Sequence, residues 1–187
     1  MKELEISESP VVLDLESYAL SGIPIQNQQR KLSEIASIFH EKEAVNQFLA
    51  DKLAYTVQSW LPVTDGTLGG LFFGVSTIMP GKVGDEYFMT KGHYHSQSDR
   101  AEFYWGVKGN GMLILMDRNR KTWAEKVFQG SLHYIGGDIA HRLANTGDEN
   151  LVVGACWPSD AGHDYEEIAI NGFSARLVEI DGKPTLV

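Results

Sequence analysis

The sequence predicts an all-β domain, a sandwich or barrel of short antiparallel strands, with an N-terminal arm and short helices. Three observations predict it. From Leu53 onward, short runs rich in aromatic and β-branched residues alternate with turns containing Gly, Asp and Asn. Three-to-four-residue apolar spacing, the mark of a helix, is confined to a stretch between Lys31 and Lys52. The chain has 187 residues, 43% of them hydrophobic. One domain of this length buries roughly 70% of its unfolded surface without staples.

In chain order, the first 30 residues mix short apolar runs, such as Val11–Leu15, with polar turns around Gly22 and Pro24. They read as an extended arm with little core of its own. In "KLSEIASIFHEKEAVNQFLADK", Leu32, Ile35 and Phe39, then Val45, Phe48 and Leu49, suit one or two amphipathic helices. The strand candidates follow: "LAYTVQSW", "LFFGVSTIM", "EYFMTKGHYH", "EFYWGV", "GMLILM", "TWAEKVF", "SLHYI", "HRLAN" and "LVVGACW". A last hairpin, "ARLVEIDGKPTLV", turns at Asp181-Gly182, a dipeptide suited to a tight primed turn. The expected division is an arm and helical segment over 1–52 and a β domain over 53–187, together one structural unit.

Composition excludes several function classes. One cysteine, Cys156, leaves neither an internal disulfide nor a Cys-based zinc cluster. The start "MKELEISESP" lacks the apolar core of a secretory signal. No run approaches the roughly 20 apolar residues that span a bilayer. A soluble, cytoplasmic protein is expected. A formal charge of −9 argues against a nucleic-acid partner, because phosphate backbones are bound by basic surfaces. A small phosphorylated ligand remains compatible, since a local pocket of donors can hold one phosphate on an acidic protein.

The chemistry concentrates in "TKGHYHSQSDRAEFYWG", Thr90 to Gly106. Side chains at i and i+2 of a strand share a face, so His93 and His95 present two imidazoles together. Imidazole nitrogens suit a divalent ion of intermediate softness, and a carboxylate adds a hard, charged oxygen. A hairpin through "SQSD" returns Glu102 beside the histidines, and "GSLHYIGGDIAHRLANTG" offers His141 as a fourth ligand. The simpler alternative for any one of these histidines is a surface or hydrogen-bonded core residue.

These residues resemble the cupin superfamily, whose first motif is H-x-H with a following glutamate, six residues and a glycine; Gly109 stands in that last place. Gly130, His141 and Asn145 fall on its second motif, while Gly136 and Asp138 depart from the usual P-x-G. Six residues separate His95 from Glu102, more than most cupins have. With "PSDAGHDY", this longer form is similar to the archaeal-type, cupin-fold glucose-6-phosphate isomerase family, a likeness running from about Arg30 to the C-terminus. The resemblance implies a cupin jelly roll and a homodimer acting in glycolysis and gluconeogenesis. It implies His93, His95, Glu102 and His141 as ligands of one divalent metal per subunit, Fe2+ foremost, with Ni2+, Mn2+ or Zn2+ accepted. It further implies phosphate contacts at Ser76, Thr90 and Gly92, Tyr104 beside the sugar, and His163 as a further active-site histidine. Trp157 stands where that family usually has a tyrosine that faces the substrate.

Regular alternation places Thr90 on the face opposite His93, so a bulge or kink is expected at Lys91-Gly92. Alternation also sends Tyr104 toward the cavity and Phe103 and Trp105 toward packing. His40 reads as a surface residue, His133 either as a support behind the site or, preferably, as merely exposed, and Cys156 as a small buried residue. Lys91 and Arg100 are either phosphate partners or solvated strand-end charges. Two other functions fit the same four ligands: an iron dioxygenase, and a sugar-phosphate sensor whose metal only orients the ligand.

Overall fold

In the computed structural model of the chain, residues 6–187 are described; the first five residues of the predicted arm lie outside them. The arm is a small hairpin, β1 (Val11–Leu13) with β2 (Leu20–Gly22), followed by β3 (Gln26–Lys31). Strands β4 (Leu53–Trp60), β5 (Leu71–Ile78), β6 (Lys82–Val83) and β7 (Glu86–Tyr87) come next. Then follow β8 (Glu102–Lys108), β9 (Gly111–Met116), β10 (Thr122–Val127), β11 (Leu132–Ile135), β12 (Ala140–Asn145) and β13 (Leu151–Pro158). A short helix α1 (Glu166–Asn171) precedes the closing hairpin of β14 (Leu177–Ile180) and β15 (Lys183–Leu186).

These strands build a sandwich rather than a closed barrel. The large sheet has six strands in the order β11-β8-β13-β5-β4-β3. Facing it are the three-stranded sheet β10-β9-β12 and the four-stranded sheet β15-β14-β7-β6. Tyr55, Ile78, Leu151 and Val153 from the large sheet meet Leu113, Leu115, Val127 and Leu143 from the small one in a single buried cluster. Burial of such side chains stabilises the fold by roughly 1.5–3 kcal/mol each relative to exposure. Strand β12 is buried along its whole length, because α1 and Phe173 cover the outer face of the small sheet. At the closing hairpin, Asp181 and Gly182 have φ of 51° and 71°, the positive values of a primed turn.

Four expectations need correction. The segment from Lys31 to Lys52 forms three 3-10 turns (Leu32–Glu34, Ala36–Ile38 and Lys42–Gln47) rather than amphipathic α-helices. Three-residue spacing serves a 3-10 turn as well as an α-helix; Leu32, Ile35, Phe39 and Val45 do reach the core, whereas Leu49 is exposed. The arm is no loose extension, since β3 forms the edge of the large sheet and Leu20 packs on Val75, Val107 and Val152. "EYFMTKGHYH" is not one strand: after β7 it joins its neighbours only through isolated bridges at Met89, His93 and Tyr94. The kink expected there is present, with φ +78° at Gly92, a conformation that favours glycine. Finally, Phe103 and Trp105 point out of the sandwich, 55% and 37% exposed, because the outer face of the large sheet has no covering layer at that position.

Candidate metal centre and the cavity above it

Two bends bring the histidines and the acid together. Past Gly92 the chain runs beside β12, and His93 and His141 exchange backbone hydrogen bonds. The residues from Ser96 to Ala101 then turn the chain into β8, which starts at Glu102 with its side chain directed inward. One ligand atom from each of His93, His95, Glu102 and His141 lies within 4.8 Å of the others. Ligands about 2.1 Å from a shared ion stand up to roughly 4.2 Å apart, so the cluster closes onto one ion by a small contraction.

The hydrogen bonds around the rings prepare them for a cation. His95 Nδ1 lies 2.5 Å from the carbonyl oxygen of Arg100, and His141 Nδ1 lies 3.1 Å from that of Ile139. A carbonyl only accepts, so each Nδ1 carries the proton and each Nε2 turns a lone pair inward. The Nε2 atoms of His93, His95 and His141, with Glu102 Oε1, are buried and lack a hydrogen-bond partner. His141 Nε2 nevertheless approaches Glu102 Oε1 to 2.6 Å, without the alignment of a hydrogen bond. Lone pairs crowded in this way call for a positive charge between them, and three imidazoles with one carboxylate fit a divalent transition metal.

The electrostatics agree. Burial alone would raise the Glu102 pKa, but the facing His141 and His95 outweigh it and hold the carboxyl below the usual range. Burial, joined by the neighbouring His141 and His163, lowers the pKa of His93 well below its ordinary value. For His95 burial opposes protonation, yet Glu102 and the Arg100 carbonyl raise its pKa above the ordinary value. Tyr104 has a pKa pushed well upward by burial and then by Glu102, so it remains a phenol and a hydrogen-bond donor.

The cluster opens into a cavity of about 600 Å³ between the two sheets. Ser76, Thr90, Gly92, Tyr104, Trp157 and His163 all line it, so the structure brings these candidates to one space with His93, Glu102 and His141. His95 lies behind them, 1% exposed, as a ligand without a face on the cavity. Thr90 Oγ1 accepts the Leu143 N–H at 3.0 Å, which leaves its own proton free for a ligand. A side chain at Gly92 would meet Phe173 at 2.9 Å and Arg142 at 3.0 Å. Trp157 stands edge-on to Phe72. His163 stacks on Tyr165 with ring centres 5.7 Å apart and lies 4.5 Å from the His93 ring. Its surrounding walls lower its pKa, so its neutral form prevails at neutral pH.

Several lining residues escaped the sequence reading. Gln26, Gln28 and Arg30 reach the cavity from β3, and Tyr55 from β4. All six residues of "QNQQRK" are polar, so no apolar alternation marks this strand in the sequence. Tyr165 sits at the start of α1, and Lys91 Nζ lies 5.4 Å from its ring centre. Of the residues set aside, Arg100 is no cavity cation: its guanidinium grips the Asp160 carboxylate through three contacts of 2.8 to 3.0 Å. His133 is buried away from the cavity, between Glu125 at 2.7 Å and Ser131 at 3.0 Å. Cys156 is half-buried rather than buried, and burial raises its pKa, leaving an unreactive thiol.

Comparison with known proteins places this geometry. A family model described as glucose-6-phosphate isomerase (GPI) matches residues 29–185. The glucose-6-phosphate isomerase of Thermococcus onnurineus is 38% identical over 179 residues, covering 95% of this chain and 92% of that protein. That of Pyrococcus furiosus is 33% identical over 177 residues, covering 95% and 93%. Among solved structures, an oxalate oxidase superposes with a TM-score of 0.49 at 14% identity, over 62% of this chain and 56% of that one, too distant to bear on the reaction. Since the family match runs from within β3 into β15 and takes in every residue of the cluster, the chain belongs to the glucose-6-phosphate isomerase family.

Proposed function

We propose that the protein interconverts glucose 6-phosphate and fructose 6-phosphate, with one divalent metal ion held by His93, His95, Glu102 and His141. The observation that most supports this reading is the buried, unpartnered ligand cluster at the floor of a 600 Å³ cavity whose wall carries hydroxyl and backbone donors. A bound ion supplies Lewis acidity for the charge that develops on the sugar oxygens O1 and O2. Ser76, Thr90 and the Gly92 backbone hold the phosphate, glycine allowing the close approach. Tyr104, kept protonated, donates to a sugar oxygen, and neutral His163 either donates or accepts at the cavity mouth. Trp157 shapes the far wall, where an indole N–H replaces the hydroxyl of a tyrosine.

Glu102 is the proposed base, moving a proton from C2 to C1. Its depressed pKa makes it a weak base, so its contribution comes from placement beside the bound sugar. Purified protein given 2-deuterated glucose 6-phosphate under anaerobic conditions, with defined metals, tests both levels of the proposal. Turnover to the ketose with deuterium lost to solvent supports both. Turnover with full retention at C1 removes Glu102 as base in favour of a hydride shift, and absence of turnover removes the isomerase. In a parallel aerobic assay, oxygen consumption would instead indicate the dioxygenase.

Ferrous iron is the proposed ion, with nickel, manganese or zinc able to substitute, since three imidazoles and a carboxylate accept all of them. We place a homodimer contact on the outer face of the large sheet, where Phe103, Leu132 and Tyr134 are 55%, 73% and 65% exposed and Phe103 packs on Tyr134 at 5.5 Å. The apolar arm residues Val11, Val12 and Leu13 offer a second place for such a contact; Val11 and Leu13 pack on their own chain, and Val12 is 52% exposed. An aspartate at Phe103 is expected to convert a dimer to monomer in sedimentation; an unchanged dimer would move the contact elsewhere. A cytoplasmic location is proposed on composition; no helix of the described residues is long and apolar enough to cross a membrane.

A further inference from the structure

Behind the small sheet lies a second cavity, of about 290 Å³. Alternation along β12 turns His141 and Leu143 toward the first cavity and Arg142 toward the second. The other walls come from the turn at Phe39 and His40, from Glu86, Met89 and Lys91, and from α1 with the segment after it. Arg142 is the unusual group. It is only 7% exposed, yet among the described residues no carboxylate pairs with its guanidinium. Its partners are a thioether and a carbonyl, Met89 Sδ at 3.1 Å and the Lys91 oxygen at 2.9 Å, and its Nε has none. Phe173 covers it with a ring centre 4.2 Å away.

A guanidinium offers five N–H donors in a planar fork matched to carboxylate and phosphate. Leaving such a cation buried without an anion is costly. The nearby acid does not resolve the imbalance. Glu86 accepts the His40 N–H at 2.6 Å and faces Arg176 at 3.7 Å. Arg176 also faces Asp85 at 3.7 Å, so both nearby carboxylates answer Arg176 and neither pairs with Arg142. The carbonyls at the end of α1, which would repel an anion, are occupied by Arg120 at 3.1 and 3.2 Å.

We infer that this cavity binds a small oxyanion, a phosphate or carboxylate group, on the free donors of Arg142 with Arg176 at the cavity's edge. Its volume lies near the lower end of small-ligand pockets and suits an ion or an acid of a few carbons rather than a nucleotide. The site stands back to back with the first cavity and shares Lys91 with it. It does not rest on the proposed reaction.

Hydrogen–deuterium exchange of the whole protein tests the inference, comparing inorganic phosphate and malonate with sodium chloride at equal ionic strength. The readout is the peptide covering 166–177, which walls the second cavity. Either anion is expected to slow exchange there by roughly threefold or more at saturation. Slowing by phosphate alone assigns a phosphate site, and by malonate alone a carboxylate site. The concentration needed should rise about tenfold in Arg142→Met and in Arg176→Gln, a loss of about one charge-assisted contact. Arg176 is partly exposed at the cavity's edge, so its variant keeps the test open if Arg142→Met fails to fold. No slowing by either anion, or slowing with an unchanged midpoint in either folded variant, would overturn the inference.

Discussion

Single residues give the cavity two chemically different walls. At one end the ligand nitrogens lack hydrogen-bond partners; at the other Thr90 Oγ1 accepts from Leu143 and keeps its proton to donate. Replacing Thr90 by valine keeps the shape and removes that donor. A lost hydrogen bond to a charged group costs roughly 1.5–3 kcal/mol, so KM for a sugar phosphate should rise about tenfold or more while metal content stays unchanged. Steady-state kinetics beside metal analysis checks this; an unchanged KM would take Thr90 off the phosphate. The His-x-His pair and Glu102 were legible because both lie in one short stretch whose residue types have few other uses together. Gly92 was legible through a conflict, since two candidates could not share a face without a kink, and φ +78° supplies it. Phe103 and Trp105 were misjudged because alternation gives the face but not what covers it; the first is 55% exposed.

At the scale of elements, the extra residues between His95 and Glu102 acquire a purpose. This turn carries Arg100, whose carbonyl orients His95 at 2.5 Å while its guanidinium grips Asp160, three residues before His163. Gln97 N–H also donates to the Ala161 oxygen at 3.0 Å, and Gly162 leaves no room for a side chain against Ser96. The turn thus braces His95 and the His163 loop together. Asp160→Asn should weaken metal binding by about 10- to 100-fold, the usual range for a group that orients a ligand, with little change in thermal stability without metal. Competition with a chelator of known affinity measures it. Arg100→Lys, which keeps the charge but loses the fork, should fall near Asp160→Asn if geometry matters, and near the wild type if charge suffices. Neither the clamp nor the contribution of β3 was legible: a pairing across 60 residues leaves no local trace, and β3 is too polar to read as a strand.

For the whole molecule, the strand boundaries were the most legible feature, because aromatic and β-branched runs end at turns of Gly, Asp and Asn. "LAYTVQSW" and "GMLILM" coincide with β4 and β9. The Lys31–Lys52 segment was misread because tertiary packing, not helix propensity, decides such short turns. The buried centre also sets the response to acid. His93 has a folded pKa below its unfolded value, so as pH falls through about 6.5 the unfolded chain gains a proton the native site resists. Glu102 acts in the same direction at lower pH, contributing stability above its unfolded value and losing it as pH falls toward its depressed folded one. His95, with a raised pKa, opposes them by favouring the folded state in mild acid. Metal retention, which needs all three imidazoles neutral, should therefore be complete at neutral pH and decline below about pH 6.5. Metal content after dialysis across this range tests the point; full retention at pH 4 would contradict it.

The central claim is that four side chains from distant parts of the chain share one ion that the reaction requires. Anaerobic titration of the chelated protein with ferrous iron, following glucose 6-phosphate turnover, addresses it directly. The account predicts no turnover without metal, a rise that saturates at one ion per chain, and no rise in His141→Ala. Undiminished turnover in the stripped protein, or saturation at one ion per chain in His141→Ala with full activity, would contradict it.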